Sequence, residues 1–136
     1  MAYVYDWVQK EKQVPELNDQ GQIITLDDGT AKTVMRPPIF SGVVRVKIPS
    51  HQERLKFVKA VSVQIVNGEA VSMNSFEQGI EIMSFAKAHI ESVDLKRISD
   101  GVELKSLEDL DHDVDGAEVL SDIGAEIAKG IRLKKN

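Results

Sequence analysis

Apolar and polar residues alternate most cleanly in Val43-Val44-Arg45-Val46-Lys47-Ile48. Val44, Val46 and Ile48 fall on one face and Arg45 and Lys47 on the other, the period of a half-buried strand that Pro49 ends. Upstream, Gln22-Ile23-Ile24-Thr25-Leu26 is a short β-branched run followed by the turn signal Asp27-Asp28-Gly29, which predicts a hairpin with Thr30 to Met35 as its return strand. Pro37-Pro38 then removes two backbone donors and forces an extended break.

From Ser50 the period lengthens to that of a helix. Ser50 as N-cap and Glu53 three residues on form a capping box, and Leu55, Val58, Val61, Ser62 and Ile65 recur at spacings of three and four. These predict a helix from His51 to Val66, stopped at Asn67-Gly68. A second helix is expected over Ser75 to Ala88, with Ile80, Met83 and Ala86 facing the core and Gly79 weakening it. Val93 and Leu95, then Val102 and Leu104, alternate with polar residues around Ser99-Asp100-Gly101, a second hairpin. Ser106 with Asp109 opens a short helical turn over Leu107 to Leu110. A last helix spans Ala117 to Lys129, its stripe made of Leu120, Ile123, Gly124 and Ile127 and its C′ position taken by Gly130. The expected fold is α+β, one domain over 1–136, strand-rich through 49 and helix-rich from 50, with a frayed tail at 131–136.

Length and composition narrow the function. The chain has 136 residues, 42% of them hydrophobic, enough for one core but not for two. With no Cys, disulfides, thiol nucleophiles and Cys-ligated metals are excluded. The net charge of −5 argues against broad phosphate-driven binding of nucleic acid. The start lacks the basic and apolar regions of a signal peptide, and no window has the ~20 apolar residues of a membrane span, so a cytosolic protein is expected.

Asp111-His112-Asp113-Val114-Asp115-Gly116 has the Asp spacing and the Gly of a calcium loop, with Asp122 at the twelfth position. A shorter Asp in place of the bidentate Glu, and Glu118 where a hydrophobic residue belongs, favour a plainer reading. In that reading the acids precede the positive end of the last helix, with Asp115 as N-cap. His51, His89 and His112 are scattered and lack the paired spacing of a zinc site, and His51 at a helix start and His89 near a helix end are read as ordinary surface positions. No nucleophile elbow or phosphate-binding glycine loop occurs. The acidic run Glu108, Asp109, Asp111, Asp113, Asp115 is expected to be solvated, so the reading is non-catalytic and without cofactor. Arg45, Lys47, Arg54, Lys56 and Lys59 form a basic cluster whose spacing wraps the charges around strand and helix instead of lining one groove, as on an ordinary solvated face. The alternative is a complement to an acidic protein, such as the Glu108–Asp115 run of another copy, which would favour self-association.

Three stretches together resemble the small tail assembly chaperones of long-tailed bacteriophages. They are Gly42 to Ser50 running into Glu53-Arg54-Leu55, Asp100 to Leu110, and Val119-Leu120 through Ile127 to Lys129-Gly130-Ile131 and the Lys-Lys-Asn end. The resemblance implies a non-catalytic, helix-rich protein in the cytoplasm of the infected bacterium. Such a protein binds the tape-measure protein, shields its apolar helices, helps recruit tail-tube subunits and leaves before the tail is finished. The strand-rich first third departs from that helical picture. Lys134-Lys135-Asn136 could be encoded by an A-rich slippery heptamer of the kind that extends such chaperones. Exposed apolar helix positions would bind the partner, with Ile80, Met83, Ile123 and Ile127 as candidates, although an amphipathic stripe ordinarily packs inward. A small tail or head-completion component retained in the particle, or a calcium module using Asp111, Asp113, Asp115 and Asp122, is the alternative.

Overall fold

Alternation builds the centre of the molecule. The computed structural model describes residues 3–61, 64–66, 69–71 and 75–130. In chain order the elements are β1 (Val4–Trp7), β2 (Lys12–Pro15), β3 (Thr33–Arg36), β4 (Phe40–Lys47), α1 (His51–Val61), β5 (Gln64–Val66), β6 (Glu69–Val71), α2 (Ser75–His89), β7 (Ile90–Arg97), β8 (Glu103–Leu104), α3 (Leu107–His112) and α4 (Gly116–Lys129). β1-β4-β7-β8 form an antiparallel four-stranded sheet. Its inward positions, Trp7, Phe40, Val44, Val46, Val93, Leu95 and Leu104, are buried with Leu110 and the α4 stripe Val119, Leu120, Ile123 and Ile127. The intervening residues face solvent. The expected α+β class is therefore observed. The two halves of the chain are not separate layers, because β7 and β8 complete the sheet begun by β1 and β4.

Two glycines are required by close approach. A Cβ on Gly42, at φ +104°, would meet the Asp94 carbonyl oxygen at 2.1 Å, so only glycine lets β4 lie this way against β7. A Cβ on Gly124 would lie 2.3 Å from the Ile82 carbonyl oxygen, so that residue sets how tightly α4 seats on α2.

The local signals hold well. Ser50 Oγ accepts from the Glu53 N–H and Glu53 Oε1 from the Ser50 N–H, closing the predicted capping box. Ser106 Oγ accepts from the Asp109 N–H at the start of α3. The turn after β7 contains Gly101 at φ +76°, with Asp100 accepting from the Val102 N–H.

Three expectations are corrected. α1 ends at Val61, not Val66, and Gln64–Val66 instead pairs with Glu69–Val71 as β5 and β6. The run from Val61 to Val66 is rich in β-branched residues, and Asn67-Gly68 is as much a two-residue hairpin signal as a helix stop. The stripe assigned to α1 is not its buried face either: Leu55 is 50% exposed, while Phe57 stacks on Phe85 with ring centroids 4.1 Å apart. Finally, the first hairpin's turn forms, with the Leu26 N–H donating to the Thr30 carbonyl, but its return strand does not run beside 22–26 alone. β3 pairs with β2, which the sequence pattern did not single out, and residues 22–26 are nested within that ribbon through bridges Leu17–Ile23 and Thr25–Ala31. Ser62, Asn67-Gly68 and the tail 131–136 lie outside the described residues.

Candidate functional site

The calcium-like segment is held by cations from three other elements. Asp111 pairs with Lys87 of α2 at 2.7 Å. Asp113 and Asp115 both pair with Arg97 at the end of β7, Asp115 at 3.0 Å. Asp122 takes Lys12 of β2 at 3.0 Å. Arg97 also stands over the Phe40 ring, 5.3 Å from its centroid, so the guanidinium is fixed by a ring beneath and carboxylates around it. Burial pushes the Asp113 carboxyl up, but Arg97 and the Asp115 N–H more than offset this and hold it below its ordinary value. Asp115 sits at the N-cap of α4 as expected, yet its side chain makes no capping bond and is turned to Arg97. The acidic run is thus not a freely solvated surface. Its carboxylates clamp the loop between α3 and α4 to the end of the sheet, and among the described residues no group of three or more His, Asp or Glu is placed to hold a metal ion.

His89 is the histidine that the sequence pattern misplaced. It is buried at the end of α2, where its Nδ1–H donates to the Phe85 carbonyl at 2.8 Å and its Nε2 faces Glu53 of α1 at 3.1 Å. Its ring also meets Phe85 edge-on. Glu53 is held below its ordinary value first by that imidazole and then by Ser50. The His89–Glu53 pair and the Phe57–Phe85 stack tie α1 to α2. No local pattern marks His89, because its burial depends on where α1 lies. His51 and His112 are exposed.

The apolar candidates separate cleanly. Ile123 and Ile127 are core residues, and Met83 packs against the core. Their place is inside because α4 presents that stripe to the sheet. Ile80 is 42% exposed, and Phe76, one turn earlier on α2, is 75% exposed. Phe76 was not among the sequence candidates, although its i, i+4 spacing to Ile80 would have marked it.

β2 and β3 carry a ribbon, the arm, whose root is a polar junction on α4. Gln9, buried, accepts through Oε1 from the N–H groups of Ile39 and Phe40 at 2.8 and 2.9 Å, two donors just past the Pro37-Pro38 break. Arg36 reaches Glu118 at 2.7 Å, and Lys12 lies between Glu118 and Asp122. A groove of about 450 Å³ runs beside this root, lined in part by Tyr5, Trp7, Lys12, Asp122 and Glu126. Burial, and then the nearby Glu126, raise the Tyr5 phenol above its ordinary value.

The basic cluster is dispersed as the spacing implied. Arg45 pairs with Asp6 on the outer sheet face, and Arg54 turns toward the Lys129 carbonyl. Lys47, Lys56 and Lys59 are exposed.

The chain matches no protein-family model, no curated protein and no solved structure. Among the described residues no helix is long and apolar enough to cross a membrane.

Proposed function

We propose that this chain is a non-catalytic tail assembly chaperone of a long-tailed bacteriophage, working in the cytoplasm of the infected host. It would bind the tape-measure protein and help recruit tail-tube subunits. The observation that carries this reading is the exposure of Phe76 and Ile80, two large apolar side chains one turn apart on α2. Large apolar side chains at i, i+4 on a helix suit the apolar face of a partner helix. The three stretches that resemble such chaperones point the same way. Ile80 remains the one strongly exposed member of the sequence-derived set, and Phe76 joins it.

Co-expression with the tape-measure protein of a long-tailed phage tests the proposal. The expected result is that the chain keeps that protein soluble and is retained with it, that Phe76→Glu with Ile80→Glu loses both effects, and that the chain is missing from purified virions. Its recovery in stoichiometric amount from purified virions would replace the chaperone reading with that of a retained tail or head-completion component. An A-rich slippery run at the codons of Lys134-Lys135-Asn136 would support the chaperone independently.

A further inference from the structure

We propose that the tip of the arm docks on α1 of a second copy of this chain. The tip is acidic and apolar at once. No Lys or Arg occurs between Lys12 and Lys32, while Glu16, Asp19, Asp27 and Asp28 all fall in that interval. Glu16 pairs with Lys32 at the tip's base, and Asp28 is occupied with Thr30. Asp19 and Asp27 are exposed. Around them Leu17, Ile23 and Leu26 are 56, 55 and 47% exposed, and the core contains nothing between Trp7 and Ile39. The ribbon from Lys12 to Asn18 reaches about 20 Å from its root at a strand's rise per residue, far enough to meet a neighbour.

The complement lies on α1. Leu55 and Val58, 50 and 40% exposed, share one side of the helix with Lys59, and Lys56 follows beside it. The only acid between Arg45 and Lys59 is Glu53, which is engaged by His89. In a chain of net charge −5 this is a local reversal of sign around apolar side chains.

Charge favours this surface over three other exposed apolar groups. Phe76 and Ile80 share their helix with Glu77 and Glu81, Val114 lies between Asp113 and Asp115, and Val102 precedes Glu103. An acidic tip meets like charge at Glu81 and Glu103, and on a second acidic tip, so pairing of one arm with another is disfavoured. The Glu108–Asp115 run, which the sequence offered as the acidic partner, is already committed to Lys87 and Arg97. The arm tip combines the exposed acids Asp19 and Asp27 with exposed apolar side chains, the complement of the lysines and apolar side chains of α1. The contact joins unlike surfaces, so it closes as a reciprocal pair or a ring, or continues as a chain of copies.

The inference stands apart from the chaperone proposal, because it is read on the purified protein alone. Sedimentation velocity over a range of concentrations, at about 0.05 M and about 0.5 M salt, should show association that weakens as the charges are screened. Asp19→Lys with Asp27→Lys, or Lys56→Glu with Lys59→Glu, should each weaken association by about tenfold or more, as expected for several charge pairs reversed together. Mixing the two variants, or placing all four changes in one chain, should restore it. All four positions are exposed, and circular dichroism verifies that the variants fold. A chain that stays monomeric at low salt overturns the proposal. So does association that either reversal leaves intact, or a loss that the combined charge swap fails to restore.

Discussion

In the sheet, Val44 and Val46 of β4 are shut beneath α4. In the arm, Val34 and Met35 of β3 lie in an equally regular ribbon and remain 40 and 53% exposed. The difference is the second layer. A four-stranded sheet with helices on one face turns alternation into a core, whereas a two-stranded ribbon has nothing to cover either side. The body is therefore held by burial, at roughly 1.5–3 kcal/mol for each large apolar side chain fully enclosed. The arm is held by its ladder of main-chain hydrogen bonds and by the charged junction of Lys12 and Arg36 with Glu118 and Asp122. Two segments with similar strand signals thus have different sources of stability.

The contrast is most open to attack through isoleucine. Ile123→Ala should destabilise the chain by about 3 kcal/mol, because it opens a cavity beneath the sheet, while Ile23→Ala at the arm tip should change stability by less than about 0.5 kcal/mol. Urea melts of the two variants decide it, and equal shifts would mean that the arm shares the core's cooperativity. Gly124→Ala comes next, at about 2 kcal/mol, since its methyl group meets backbone of Ile82 and forces α2 away from α4. Arg97→Gln should lower the melting temperature by less than that but by more than any substitution at the tip, because it leaves Asp113 and Asp115 facing each other without their cation.

Acid sharpens the same comparison. Glu53 and Asp113 are held below their ordinary values of 4.5 and 3.8. Each contributes stability that is complete above its ordinary value and is lost as pH falls through the lower folded value. Thermal melts should therefore fall below about pH 4, and Glu53→Gln should remove part of that dependence. The smallest effect is expected at the junction: Arg36→Ala should speed amide exchange in residues 12–36 while moving the body's melting temperature little. A large shift there would show that the arm's root supports the sheet itself.

What was legible from the residues was local. The capping box of Ser50 and Glu53, the Ser106 N-cap, the turn around Asp100-Gly101, the strand at Val43 to Ile48 and the stripe of α4 depend on neighbours a few positions apart, whose geometry is dictated by backbone period and short-range hydrogen bonding. The exclusion of thiol chemistry needed only the absence of Cys. The rest required the chain to be brought together. Whether Val61 to Val66 continues a helix or turns into a ribbon depends on two nearly equal local preferences that packing decides. Which strand β3 pairs with cannot be read from period two, which is the same for every partner. The burial of His89 depends on α1 crossing α2, and the fate of Asp111, Asp113, Asp115 and Asp122 on cations that arrive from α2, β7 and β2. A carboxylate's role is set by the charges within a few ångströms of it, and those neighbours, distant in sequence, are supplied by the tertiary structure alone.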